Sequence, residues 1–124
     1  MIENLELIRI LSMLKSCGPL FIALGDEQRQ KLIIDIADAG RQGINVTNLS
    51  SRSKLSRPAI SHHLRVLKDC GVIKPLKIGT QIFYQLNLNK NLETLSELIR
   101  SMQNVISKIK KEAAETEMTE ANQI

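Results

Sequence analysis

One stretch limits the chain's fold more than any other: S-R-P-A-I-S-H-H-L-R-V-L-K-D-C-G, residues 56–71. Ser56 is a side-chain cap in front of it and Gly71 is a stop behind it. Plotted at about 100° per residue, Ile60, Leu64 and Leu67 fall within about sixty degrees of one another. The opposite side carries Pro58, His62, Arg65 and Asp69, flanked by Ala59 and Ser61. Arg57 sits in the first turn. The spacing predicts a helix that lies on a core by one stripe and leaves a polar face outward.

The surroundings turn that helix into a motif. Thr47 reads as the cap of a shorter helix, from 48 to about 54. A turn of very few residues joins the two, the helix-turn-helix pattern. Two β-rich runs follow, 72–77 and 81–86, split by Ile78-Gly79-Thr80, and they read as a hairpin. A hairpin directly after a helix-turn-helix is a wing.

Upstream, residues 1–15 read as a helix with apolar positions 5, 7, 8, 10, 11 and 14. Gly18-Pro19 breaks it, and a short apolar segment runs from 20 to 24. Asp26 caps a helix over 28–38 that carries Leu32, Ile33 and Ile36, closed by Gly40 and Gly43. Residues 44–46 are a candidate strand stub. Downstream, 91–111 form the last helix. Leu92, Leu95, Ile99, Met102, Ile106 and Ile109 recur at alternating spacings of three and four, a heptad seam. A core helix shows the same pattern, yet Leu98 and Val105 widen the stripe to a second side. Such a helix touches its own domain and a partner, with the N-terminal helix (Leu5, Ile8) alongside. The fold expected is mainly α with a small β-hairpin: a winged helix-turn-helix, dimerising through its N- and C-terminal helices. Residues 1–112 make that domain, and the polar, acidic stretch 113–124 reads as a disordered tail.

Composition narrows the function. The 124 residues suit one domain with one modest core. Aromatics are limited to Phe21, Phe83 and Tyr84, so aliphatic side chains fill the core. The same scarcity argues against stacking platforms for single-stranded nucleic acid. The longest uncharged run, 16–25, is too short to cross a bilayer, and early Glu3 and Glu6 do not suit a signal peptide. Two cysteines make no disulfide framework, which fits a reduced, cytoplasmic protein.

Charge is concentrated. Between Arg41 and Thr80 stand eight basic residues against Asp69 alone. That segment is +7, and the remainder of a chain of net +4 is −3. A solvated face is the ordinary meaning of a charge run. An asymmetry of this size is also the footprint of a surface that neutralises phosphates. The outward face at Arg57, Pro58, Ala59, Ser61, His62 and Arg65 suits base edges in a major groove. Arg52 and Lys54 beside the turn, and Lys77, Thr80 and Gln81 at the hairpin tip, suit the backbone or minor groove. A symmetric dimer then presents two reading helices to an inverted repeat.

The adjacent histidines look like chemistry, but neighbours on a helix point about 100° apart and do not chelate one ion. Metal-binding pairs sit at i and i+4. No acid or cysteine stands four residues away, so no metal is expected, and no cofactor. His62 goes with the outward face and His63 with the edge of the buried one, in a structural role. No nucleophile–base pair accompanies either ring, so an enzyme is set aside.

These motifs resemble the arsenical-resistance-repressor (ArsR/SmtB) family of bacterial winged-helix regulators. The matching stretches are L-G-D-E-Q-R-Q-K-L-I (24–33), V-T-N-L-S-S-R-S-K-L-S-R-P-A-I-S-H-H-L-R-V-L-K-D-C-G-V-I (46–73) and G-T-Q-I-F-Y-Q-L (79–86). The resemblance implies a homodimeric repressor on an operator in double-stranded DNA, joined through its first and last helices. It places Arg57, Pro58, Ala59, Ser61, His62 and Arg65 on the reading face. Two departures stand out. The family's C-x-C metal motif is replaced by N-V-T-N-L-S (45–50), and 91–111 holds neither the Asp nor the His of its other metal site. Metal sensing is therefore not carried over. Some members sense sulfur species or oxidants through a cysteine pair, which leaves Cys17 and Cys70 as a thiol switch; the plainer reading is two small buried hydrophobes. A protein-interaction module built on the wing is a further alternative.

Overall fold

The computed structural model describes residues 3–122. Its elements run α1 (Asn4–Ser16), α2 (Gly18–Leu24), α3 (Glu27–Asp38), a 3-10 turn (Gly40–Gln42), α4 (Val46–Arg52), α5 (Arg57–Asp69), β1 (Ile73–Ile78), β2 (Gln81–Leu86) and α6 (Asn89–Asn122). They form two compact units. One is Gly18–Leu92; the other combines α1 with α6 from Glu93 onward.

The Gly18–Leu92 unit is the winged helix. Its core is aliphatic throughout: Leu20, Ala23, Leu32, Ile36, Ile44, Leu49, Ile60, Leu64, Leu67, Val72 and Ile73. The break at Gly18-Pro19 is also a start. Proline is tolerated in a first helical turn, and the apolar stretch behind it coils into α2. Asp26 caps α3 by accepting the Arg29 backbone N–H. The cap of α4 is Asn45 and not Thr47: extended backbone at Asn45 lets its Oδ1 accept the Asn48 N–H at 2.9 Å. The helix therefore begins at Val46, and the strand stub shrinks to one bridge, Ile44 with Tyr84.

Ser56 caps α5 by accepting the Ala59 N–H. Behind the helix, Gly71 adopts a φ of 78°, which turns the chain into β1. Strands β1 and β2 pair antiparallel from Ile73 with Leu86 to Ile78 with Gln81, leaving the two-residue turn Gly79-Thr80. Tyr84 and Leu86 anchor the hairpin on the core, and the tip is exposed.

In the second unit, Ile10 and Cys17 meet Leu98 and Val105, with Met13 and Leu95 packed against them. Glu6 is held by Lys108 Nζ at 2.8 Å and Asn104 Nδ2 at 2.9 Å. Its carboxyl lies below the usual range, first because Lys108 donates to it. The second apolar side of the last helix is thus buried on α1. Of the expected seam, Leu95 is half-buried against this same cluster, while Leu92, Ile99, Met102, Ile106 and Ile109 are exposed, as are Leu5, Ile8 and Leu11 on α1. The disordered tail expected from 113 is a helix as far as Asn122, fully solvated. Glu, Ala and Met are strong helix formers, so the segment coils without a face to bury. Residues 123–124 of that tail lie outside the described residues. Among the described residues no single helix is long and apolar enough to cross a membrane.

Candidate nucleic-acid interface

Helix α5 divides as its spacing requires. Ile60, Leu64 and Leu67 are buried, while Arg57, Pro58, Ser61, His62, Arg65 and Asp69 are exposed and Ala59 is half-buried. Pro58 falls within the first turn. That turn therefore lacks one N–H, and its Ala59 N–H is already given to Ser56 Oγ at 3.3 Å. The side chains, more than the helix end, carry whatever this face binds.

Polar links tie the start of α5 to the start of α4 and, through it, to the wing. Arg57 Nη2 reaches Thr47 Oγ1 at 3.5 Å. Two residues away, Asn45 Nδ2 donates to Gln81 Oε1 at 3.0 Å. The start of α5, the start of α4 and the wing tip are thereby connected. Lys77 and Thr80 flank Gln81 and are exposed. Arg52 and Lys54 line an open depression of about 310 Å³ beside the turn, with Lys31 and Asp35 opposite. Arg52 is not free there: its guanidinium pairs with Asp38 at 3.1 Å, an exposed pair that costs little to exchange for another anion. Asn45 and Thr47 take part in this arrangement without having been singled out as contacts.

His63 holds the position foreseen, at the edge of the buried stripe and half-buried. Its partner was not foreseen. Arg29 is a charged residue with only 9% of its surface exposed. Its Nε donates to the Ala23 carbonyl at 2.8 Å and its Nη2 to the Ile22 carbonyl at 3.0 Å. Nη1 points at His63 Nδ1, 3.3 Å away. The signal was present in the spacing: Arg29, Leu32, Ile33 and Ile36 share one helical stripe, and an arginine inside a stripe needs buried acceptors.

The cysteines belong to different clusters. Cys17 is buried in the α1–α6 cluster. Cys70 packs half-buried on the winged-helix core, and its thiol donates to the Leu67 carbonyl. Both are free thiols. Among the described residues no three His, Cys, Asp or Glu side chains stand close enough to hold a metal ion.

Known proteins share both the sequence and the fold. Residues 42–74 match the description "Bacterial regulatory protein, arsR family". The transcriptional repressor SdpR of Bacillus subtilis is 34% identical over 88 residues, covering 71% of this chain and 90% of that one. A transcriptional repressor SmtB homolog of Synechocystis is 31% identical over 83 residues, covering 67% of this chain and 61% of the relative's length. Among solved structures, an ArsR-like transcriptional regulator from Rhodococcus aligns with a TM-score of 0.68 at 29% identity, over 84% of this chain and 95% of that one. HlyU from Vibrio cholerae aligns at 0.55 and 28%, over 69% and 90%. A winged helix with the reading-helix signature in place, matched along most of its length by repressors, belongs to the arsR family of bacterial DNA-binding transcriptional regulators.

Proposed function

We propose that the chain is a homodimeric repressor that recognises an inverted repeat in double-stranded DNA. The observation that carries this reading is the division of α5. Its apolar stripe is buried, and its outward face presents Arg57, Ser61, His62 and Arg65 within a segment of net charge +7. Arg65 and Arg57 suit guanine edges, Ser61 and His62 take donors or acceptors, and the Ala59 methyl suits thymine. Arg52, Lys54, Lys77, Thr80 and Gln81 set the register on phosphates and the minor groove.

The exposed apolar seam of α6 and the outer residues of α1 suit a second copy of the chain. Isolated in water, such a stripe is an association surface. Two copies related by a two-fold axis would place their α5 helices about one DNA turn apart. The similar proteins named as repressors support the direction of regulation. The family's familiar metal motifs are absent from 45–50 and 91–111, so metal sensing at those sites is not part of this reading. Cys17 and Cys70 remain the candidates for a thiol switch, and the burial of Cys17 favours packing for that residue.

Selection of bound sequences from random duplex DNA tests the proposal. The expected product is an inverted repeat whose binding weakens steeply with salt. A pool that shows no enrichment overturns DNA reading and favours a wing used on protein. In that case charge reversal at Arg57 and Arg65 leaves the protein's activity intact.

A further inference from the structure

We infer that Arg29 and His63 form a positioning pair that sets the rotation of α5 for base recognition; the inference rests on the DNA-reading role proposed above. Apolar packing of Ile60, Leu64 and Leu67 keeps α5 on the core, but such contacts are non-directional. They tolerate small rotations about the helix axis. Base edges do not, because hydrogen bonds weaken steeply with misalignment. A directional contact at the flank of the helix is what selects one rotation.

Arg29 has the properties of such an anchor. Its guanidinium is fixed on two backbone carbonyls of α2, Ile22 and Ala23. The Asp26 carboxylate lies 4.0 Å away. A guanidinium has donors and no acceptor, so His63 Nδ1 receives the bond through its lone pair. The bond requires a neutral His63 ring with its proton on Nε2. Hydrogen bonds from a charged donor are the stronger and more directional kind. The His63 ring in turn stands beside the ring of His62 on the outward face, their centroids 5.7 Å apart. The anchor thus reaches from the α2 backbone to the reading face.

The charged and titratable groups facing His63 are Arg29 on α3, Asp26 before α3 and His62 on α5 itself. Helix α2 brings none. Protonation of His63 removes the acceptor and sets two cations 3.3 Å apart, so acid releases the pair.

The test uses a duplex recovered by selection with the wild-type protein and a scrambled duplex of the same length. Affinities for both are measured at pH 8 and pH 5.5 for wild type, His63→Asn and His63→Leu, with melting temperatures alongside. Asparagine keeps an acceptor near the Nδ1 position and does not titrate, whereas leucine fills the space without one. At pH 8, His63→Leu is expected to lose about tenfold in the ratio of selected to scrambled affinity, while scrambled binding holds. His63→Asn restores the ratio. At pH 5.5 the wild-type ratio falls and the His63→Asn ratio does not. His62 is common to all three proteins, so the difference between their profiles belongs to His63. A ratio unchanged in His63→Leu, or both affinities falling together with the melting temperature, overturns the pair. Should His63→Leu not fold, the pH comparison of wild type with His63→Asn decides alone. A wild type that enriches no sequence is a separate result, and it overturns DNA reading itself.

Discussion

Gly43 stands next to Ile44, whose bridge to Tyr84 ties the chain ahead of α4 to the wing, and replacing Gly43 with alanine is expected to break that tie. Its φ of 72° and ψ of −175° lie in a region that is almost exclusively glycine's, where a side chain costs about 1–3 kcal/mol. A Cβ built there would stand 2.7 Å from the Tyr84 carbonyl oxygen and 3.1 Å from the Gln85 Cγ. The first of these is backbone, so relief requires strand β2 to move. Movement there costs the bridge, in which the Ile44 N–H donates to Tyr84 O at 3.1 Å and the Tyr84 N–H to Ile44 O at 2.9 Å. Two hydrogen bonds at about 1 kcal/mol each, added to the strain, bring the loss to about 3–5 kcal/mol. For a unit of this size that lowers Tm by about 12 °C or more. Gly79→Ala is the matched control. It too has positive φ, at 62°, but its Cβ meets nothing within 4 Å. It is expected to cost about 1 kcal/mol, or roughly 4 °C. Thermal unfolding of both variants by circular dichroism measures the difference. Equal shifts for the two would refute the argument that the contact with β2, beyond backbone strain, makes glycine necessary at position 43.

Three further outcomes follow from the same structure. Lys54→Ala should weaken binding to all duplexes alike and reduce the slope of log K against log salt by about 0.9, whereas Arg65→Ala should cost about 1–3 kcal/mol on the selected sequence alone; titrations at several salt concentrations separate the two. Ile99→Asp with Ile106→Asp should convert dimers to monomers in sedimentation without unfolding α1 against α6, since Leu98 and Val105 hold that packing; an unchanged sedimentation coefficient would rule the seam out as the interface. The Asp26 carboxyl lies below its ordinary range, chiefly because the Arg29 backbone N–H donates to it, with the Arg29 charge assisting. A depressed folded value means stability that is present at neutral pH and is lost progressively as pH falls below about 4, so Asp26→Asn should melt earlier than wild type at pH 7, with the gap narrowing as pH is lowered below about 4.

Periodicity made most of the architecture legible before any coordinates. The stripe of Ile60, Leu64 and Leu67 and the Gly79 turn depend only on spacing and on local backbone preference, and each stands where those rules put it. The cap of α4 was missed because Asn45 and Thr47 are both good caps, and backbone torsion two residues apart decides between them. The helix over 113–122 was missed because polarity without period resembles a tail, although its residues favour a helix.

What the sequence alone determined is local: the caps at Asp26 and Ser56, the apolar side of α5, and the gathering of charge between Arg41 and Thr80. What tertiary structure decided is everything that joins distant positions. Arg29 and His63 are 34 residues apart, and Asn45 and Gln81 are 36. No spacing rule links such pairs, because their contact depends on how α3, α4, α5 and the wing stack on one aliphatic core. The outward face of α5 is written in one helix, and the residues it is tied to lie on others.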